Sequence, residues 1–376
     1  MYRGMNAYML HYWVVLVITL GFSNPSLARN SSGSSVDQEK VRGIIISTHG
    51  IGRDWGKDVI VPTMADIKAV GANWVAIHPY ARIFRDGSIR YGHMDSTEAP
   101  AHWIRPIQEA HAQGLKIYIK PHLAHWRSGF SWRGEITFKD DEAWARFWTG
   151  YRSWILKLAS ACKEADGFVV GTELDKTLHQ EDAWRRLIAE VRAVTDAPLT
   201  YGANWTDYQR VPFWDALDLI GIQAYFPITE KANPTAEDIQ RGWQKRMAEL
   251  RAYGEKMDRR ILFTELGYNQ SYLAAREPWN YRVDGEDAQP VQEACWRAAL
   301  QIIEVEPQMM GALLWKWFPY PRPVGRNFVL ATPHIMTVVA KAWEGEVPTI
   351  VFDEAAWEAR RRERRRRFQK GGNTQD

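Results

Sequence analysis

From Val41 onward the chain repeats one pattern about eight times: a short apolar run, a polar loop, then a stretch with helical periodicity. The runs fall at 43–48, 73–79, 115–122, 166–174, 198–205, 218–225, 260–268 and 311–317. Helical spacing marks 62–71, 102–113, 141–164, 181–194, 236–257, 289–306 and 333–343. Apolar runs of that length bounded by glycine read as strands buried on both faces. Parallel strands need right-handed crossovers, and helices of this spacing supply them. Eight such units close into a single (β/α)8 barrel of the TIM type, with long loops on its C-terminal face. A doubly wound open sheet is the alternative. Against it, no Gly-x-Gly-x-x-Gly follows the first strand and no Gly-x-x-x-x-Gly-Lys-Ser/Thr occurs anywhere.

The two ends read differently from the middle. Residues 1–28 have the form of a secretory signal: Arg3, an apolar stretch from Trp13 to Phe22, and a small-x-small site at Ser26-Leu27-Ala28. The stretch is short for a bilayer span, so the expected location is periplasmic or secreted, with an uncleaved anchor as the other reading. Residues 29–40 form a polar linker, 41–345 the barrel, and 346–376 a basic helical tail. Arg360 to Arg367 holds seven Arg and one Glu. Removing that +6 from the chain's net +3 leaves −3 for the rest, so the body has no electrostatic footprint for nucleic acid. The tail reads as a solvated helix, with a weak contact to an anionic envelope surface as its other use. Cys162 and Cys295 match no metal or redox spacing and read as small buried residues.

In a barrel, chemistry is carried by side chains at the C-terminal ends of several strands. Two runs end alike, Gly171-Thr172-Glu173-Leu174 on the fourth and Phe263-Thr264-Glu265-Leu266 on the seventh. A glutamate is costly inside a core, so Glu173 and Glu265 are expected to face a shared cleft. The other strand ends add Trp55, Arg82, Lys120, His122, Asn204, Gln223, Tyr225, Trp315 and Trp317 as candidate substrate-binding groups. The chain has 19 Trp, and indole faces stack on sugar rings, although the same residues also fill cores. Two carboxylates among aromatics suit glycosidic bond cleavage: one must be protonated to release the leaving oxygen, while the other stays ionised. Burial and like charge raise one pKa, and hydrogen-bond donors hold the other down.

At these residues the chain resembles glycoside hydrolase family 113, whose characterised members include β-mannanases. The matching stretches are Trp132-Arg133-Gly134-Glu135-Ile136, Gly171-Thr172-Glu173-Leu174, Tyr201-Gly202-Ala203-Asn204-Trp205, Phe213-Trp214-Asp215-Ala216-Leu217-Asp218, Tyr225-Phe226-Pro227, Phe263-Thr264-Glu265-Leu266-Gly267-Tyr268 and Trp315-Lys316-Trp317. The resemblance implies a retaining enzyme with Glu173 as acid/base and Glu265 as nucleophile. It implies that Tyr225 donates to Glu265, that Lys120 and His122 lie beneath the substrate, and that Asn204 binds a sugar hydroxyl. The substrate implied is a β-linked oligo- or polysaccharide, β-mannan first, with no metal and no organic cofactor. Thr172 departs from the Asn that many members of the wider clan place before the acid/base, and Gln223 stands where relatives often carry Asp.

Two other functions stay open from the sequence. A metal-dependent barrel hydrolase would use His49, His78, His122 and His125, although no His-x-His opens the first strand and no His-Glu-x-x-His occurs. A non-catalytic glycan-binding barrel is the second, because a fold alone does not fix a function. Lys120 and His122 also have a purely structural reading, as an ion pair in the barrel mouth and a satisfied core histidine.

Overall fold

A computed structural model of the chain describes residues 39–371 except 49, 93, 127, 284, 286, 287 and 323–327. The expected signal, most of the linker and His49 lie outside the described residues. Among the described residues eleven strands occur in chain order: β1 (Val41–Ile46), β2 (Trp74–Ile77), β3 (Tyr80–Ile83), β4 (Ile89–Tyr91), β5 (Lys116–Ile119), β6 (His122–Ala124), β7 (Gly167–Thr172), β8 (Leu199–Asn204), β9 (Ile220–Gln223), β10 (Ile261–Leu266) and β11 (Met309–Trp317). Eight of them close a parallel barrel in the order β1-β2-β5-β7-β8-β9-β10-β11, with β11 pairing back to β1. The fold is the single (β/α)8 barrel that the alternation implies. Glu173 directly follows the fourth barrel strand and Glu265 lies on the seventh.

The helices are α1 (Ile60–Ala69), α2 (Ala101–Ala112), α3 (Asp141–Ala161), α4 (Glu181–Arg192), α5 (Ala236–Met257), α6 (Gln289–Val305), α7 (Pro333–Trp343) and α8 (Glu354–Gly371). Their starts follow local chemistry. The Asp140 side chain accepts from Ala143 N–H at the head of α3, and Thr235 with Asp238 forms a reciprocal capping box on α5. The crossover after β8 departs from the pattern. It is made by two 3₁₀ turns, Tyr208–Arg210 and Trp214–Ala216, in place of an α-helix.

Two sequence expectations need correction here. The third run is not one strand to His122: β5 ends at Ile119, and after Lys120-Pro121 the chain enters β6. Proline has no N–H for the ladder, which favours a break at that point. The loop expected after the second strand is partly ordered, because β3, β4 and β6 form a small separate sheet over the barrel mouth. His122 therefore pairs with Tyr80, outside the barrel ladder.

The barrel interior is packed by Val41, Ile45, Trp74, Tyr118, Val169, Leu262 and Leu313, with Trp74 stacked on Tyr118 at 4.8 Å. The larger core lies between the strands and the helices, where Trp55, Trp154, Trp184, Trp214, Trp243 and Trp296 are fully buried. Much of the tryptophan enrichment is therefore shell packing and not a sugar platform. Each such ring removes a large apolar area from water, at roughly 25 cal/mol per Å². Cys162 and Cys295 are free and buried, as expected. The aromatic stripe on α3 faces the same shell: Phe147, Tyr151 and Trp154 are buried.

The tail helix starts beside the C-terminal end of β11. The Arg322 guanidinium lies 3.7 Å from the Phe318 ring centre and 5.4 Å from that of Trp357, and Arg360 lies 4.6 Å from that of Tyr320. Such cation–π contacts contribute about 0.5–1 kcal/mol each at exposed positions.

Candidate active site

Both glutamates follow an irregularity in their strands. In β10 the register shifts between Phe263 and Glu265 against β9, and in β7 between Val169 and Thr172 against β8. A bulge re-aims the residues that follow it. Leu262 packs in the barrel interior and Phe263 in the outer shell, yet Thr264 and Glu265 both bond to inward groups. Glu173 has φ 51°, a left-handed backbone that an L residue adopts at a cost of about 1–3 kcal/mol. Its N–H donates to Gly202 O at 2.8 Å and Leu174 N–H donates to the Tyr201 hydroxyl at 2.7 Å, which hold the turn in place.

Glu265 is almost wholly buried, and three polar side chains surround its carboxylate. Lys120 Nζ donates to Oε1, and the Tyr225 hydroxyl donates to Oε2 at 2.8 Å. His122 Nε2 lies 3.4 Å from Oε1. His122 itself lies between two side chains that can only donate, with Arg133 Nη1 3.3 Å from Nδ1 and Lys120 Nζ on the side of Nε2. Burial, then the Lys120 and Arg133 charges, push His122 well below its usual pKa, so the imidazole is neutral. Lys120 Nζ is 2.6 Å from Nε2, and a third cation there would be repelled. For Glu265, burial alone acts to raise the pKa. Lys120 and His122 overcome it and hold the carboxyl well below the ordinary range.

Glu173 lies in a different field. Burial raises its pKa, the Arg133 charge lowers it, and the Glu265 charge raises it again; the net direction is up. Arg133 Nη1 is 3.2 Å from Glu173 Oε2, and Arg133 Nε donates to Leu123 O at 3.2 Å. One guanidinium thus contacts Glu173 and, through His122, the surroundings of Glu265. Arg133 is not among the site residues expected from the sequence, although the Trp132–Ile136 stretch contains it. The missing signal was its reach back across the mouth from a 3₁₀ turn at Arg133–Glu135. Replacing Arg133 with Gln removes a charge that lowers the Glu173 pKa. The alkaline limb of the kcat/KM profile is then expected to move to higher pH. A limb that stays in place while kcat falls shows that Arg133 does not act on Glu173.

The other candidates divide. Trp315 is half-buried, with ring centres 5.9 Å from His122 and 5.2 Å from His78, and Tyr80 closes the group at 5.8 Å from His122. Asn204 ends β8 beside Asp175, with which its side chain hydrogen-bonds. Arg82 is exposed on β3, and the period of two puts it on the same face of the small sheet as Tyr80. Three candidates have no surface to offer a ligand. Trp55 is fully buried with its indole N–H on Ile46 O at 3.0 Å, so it supports His78 from behind. Gln223 is sealed in the barrel, where its Oε1 accepts from Thr264 Oγ1 at 2.7 Å. Trp317 packs into the outer shell: strict alternation would put it on the face of Trp315, but the ladder with β1 shifts register there, pairing Trp315 with Ile45 and Trp317 with Ile46. Thr172 Oγ1 is buried and has no partner among the described residues. Exposed indoles lie further out, at Trp126 near Tyr80 and at Trp279 stacked on Trp205 at 5.4 Å. Among the described residues no group of three or more His, Cys, Asp or Glu is placed to hold a metal.

The family model of glycoside hydrolase family 113 matches residues 47–322. The chain belongs to glycoside hydrolase family 113. It is a glycoside hydrolase, and the barrel rim just described is where its strand-end carboxylates meet. A solved GH113 β-mannanase from Alicyclobacillus acidocaldarius, in complex with ManMIm, shares 27% identity with this family 113 hydrolase. The alignment has a TM-score of 0.71 and covers 83% of this chain and 99% of that one. A second GH113 β-1,4-mannanase is 19% identical at TM-score 0.71, covering 82% and 100%, a likeness of fold. A Ruminococcus gnavus β-glucuronidase shares the fold at 13% identity and TM-score 0.56, covering 81% of this chain and 50% of that one. No curated protein matches the chain.

Proposed function

We propose that this glycoside hydrolase cleaves β-linked mannan or manno-oligosaccharides with retention of configuration, by double displacement. The observation that carries the reading is the opposite electrostatic treatment of two neighbouring glutamates: Glu265 is held ionised and Glu173 is pushed towards protonation. In the first step a Glu265 oxygen attacks the anomeric carbon, the glycosidic C–O bond breaks, and Glu173 gives its proton to the leaving oxygen. The glycosyl ester has no charge at Glu265. The repulsion that raised Glu173 is then gone, while Arg133 and Lys120 still lower it, so Glu173 becomes the base. It takes a proton from water, the water oxygen bonds to the anomeric carbon, and the ester C–O bond breaks. Lys120, His122 and Tyr225 receive the departing carboxylate.

The substrate preference is supported by the solved GH113 β-mannanases at 27% and 19% identity. The deciding experiment incubates the purified protein with a panel of β-linked oligosaccharides and reads the first-formed anomer by NMR. A β-product that mutarotates to the equilibrium mixture is expected from manno-oligosaccharides. An α-product first would overturn retention, and cleavage of another glycan alone would overturn the substrate. Export is part of the same proposal, supported by Arg3, the apolar stretch and Ser26-Leu27-Ala28. An intact mass beginning at Arg29 is expected for the exported protein, and a mass that retains residues 1–28 would contradict cleavage there.

A further inference from the structure

Double displacement leaves two features unused, the Lys316 side chain in the barrel mouth and the arginine face of α8, and the structure joins them. Both belong to the rim above β11, which lies across the barrel from Glu173. No Asp or Glu occurs in the sequence between Glu306 and Glu344, whereas Lys316 and Arg322 do. Lys316 Nζ is 4.5 Å from the ring centre of Trp315 and 5.3 Å from that of Phe318, and it has no hydrogen-bond or ion-pair partner among the described residues. Arg322 stands over the same Phe318 ring and also faces Trp357 of α8, where Arg360 lies against Tyr320. Further along α8, Arg361, Arg362, Arg365 and Arg366 are exposed. At 3.6 residues per turn they share one face about 140° wide. Arg361 pairs with Glu358 at 2.9 Å; the other three make no ion pair among the described residues.

We propose that this cationic track binds carboxylates carried on the glycan, so that the substrate is an acidic β-linked chain and not a neutral one. The inference rests on the reading of the mouth as a site of β-mannan cleavage and narrows its substrate. Glu265 does not need Lys316, because Lys120 and Tyr225 already donate to its carboxylate. Burial pulls the Lys316 pKa down, the Glu265 charge opposes this and the Arg322 charge adds to it; the result is about 8, an ammonium at neutral pH. With Lys120 and Arg133, the mouth then holds three cations against two carboxyls, of which Glu173 is pushed towards protonation. A neutral sugar over Lys316 would cost it water and return no counter-charge, whereas a carboxylate returns one. The exposed guanidinium groups suit the same partner, since their fork matches a carboxylate. A bilayer surface would meet α8 but could not follow the track down to Lys316 beside Trp315.

The test measures kcat/KM on β-1,4-mannan and on the same mannan sparsely carboxymethylated, at low and at raised salt. The parent is expected to favour the carboxymethylated polymer by about tenfold at low salt, and the preference should shrink as salt screens the track. Lys316→Met keeps an apolar stem over Trp315 without the charge and should bring the preference to about twofold or less. A variant with Arg361, Arg362, Arg365 and Arg366 all changed to Gln should lose most of the salt dependence. A packing defect lowers both activities and leaves their ratio unchanged. A parent ratio near one at low salt, or an unaltered preference in either variant, would overturn the track. Binding of anionic phospholipid vesicles through the four arginines, with no preference between the mannans, would overturn it too and assign the tail to a membrane surface. Turnover of neither polymer would count against the mannan reading instead. Affinity electrophoresis in gels holding each polymer then makes the same comparison without catalysis: stronger retardation by the carboxymethylated mannan supports the track, and equal retardation overturns it.

Discussion

Glu265→Gln is expected to remove turnover of manno-oligosaccharides and of activated aryl glycosides alike, by a factor on the order of 10⁴ or more. No leaving group, however good, replaces a missing nucleophile. Glu173→Gln should behave differently on the two substrates. On the oligosaccharide it removes general-acid help, worth about 10²–10⁴ in rate. On an aryl glycoside with a good leaving group the first step needs no proton, so a burst of one product per enzyme should appear. Steady turnover then stalls, because no base remains to activate water against the glycosyl ester. Azide, which needs no base, should restore turnover in Glu173→Gln and give a glycosyl azide; it should do nothing for the burst of the parent. Burst kinetics with and without azide measure this directly. A burst in Glu265→Gln, or azide rescue of neither variant, would show that the roles are wrongly assigned.

The parts of this site that were legible in the sequence are those written in periodicity and strand ends. Eight apolar runs gave the barrel, and the positions of Glu173 and Glu265 gave their shared rim. Tyr225 was expected to serve Glu265, and its hydroxyl lies 2.8 Å from that carboxylate. What remained hidden has physical causes. Strand alternation assumes an unbroken ladder, so the shifts at Val169–Thr172 and Phe263–Glu265 are invisible to it. The same assumption ran β5 on to His122, where Pro121 and a second sheet divert the chain. Trp55 and Trp317 looked like sugar platforms because composition does not distinguish a buried indole from an exposed one. Arg133 escapes the sequence for the opposite reason: it lies on a loop, where no period signals direction, and it acts on neighbours distant in sequence.

The two Glu→Gln changes should also move thermal stability in opposite directions. Glu265 has a folded pKa below its ordinary 4.5, so its ionised form stabilises the native state. That contribution is present above about pH 4.5 and is lost as pH falls through the folded value. Glu265→Gln removes it and leaves the Lys120 ammonium buried without its counter-charge, although burial already lowers Lys120. Breaking a buried pair in this way costs about 3–5 kcal/mol, which at this chain size lowers Tm by on the order of 10 °C. Glu173 has the reverse sign. Its folded pKa is raised, so the native state binds more protons than the unfolded chain between 4.5 and the folded value, and stability falls with rising pH across that window. Above pH 4.5 Glu173 is therefore a cost of folding that Gln does not carry. Arg133 loses one contact but keeps His122 Nδ1 and Leu123 O. Melting curves should place Glu173→Gln at or above the parent at neutral pH, with the gain gone below about pH 4. Glu265→Gln should lie well below the parent at neutral pH and converge on it in acid. If both variants shift the same way at neutral pH, the two carboxyls do not sit in opposed fields, and the division of labour between acid and nucleophile loses its physical basis.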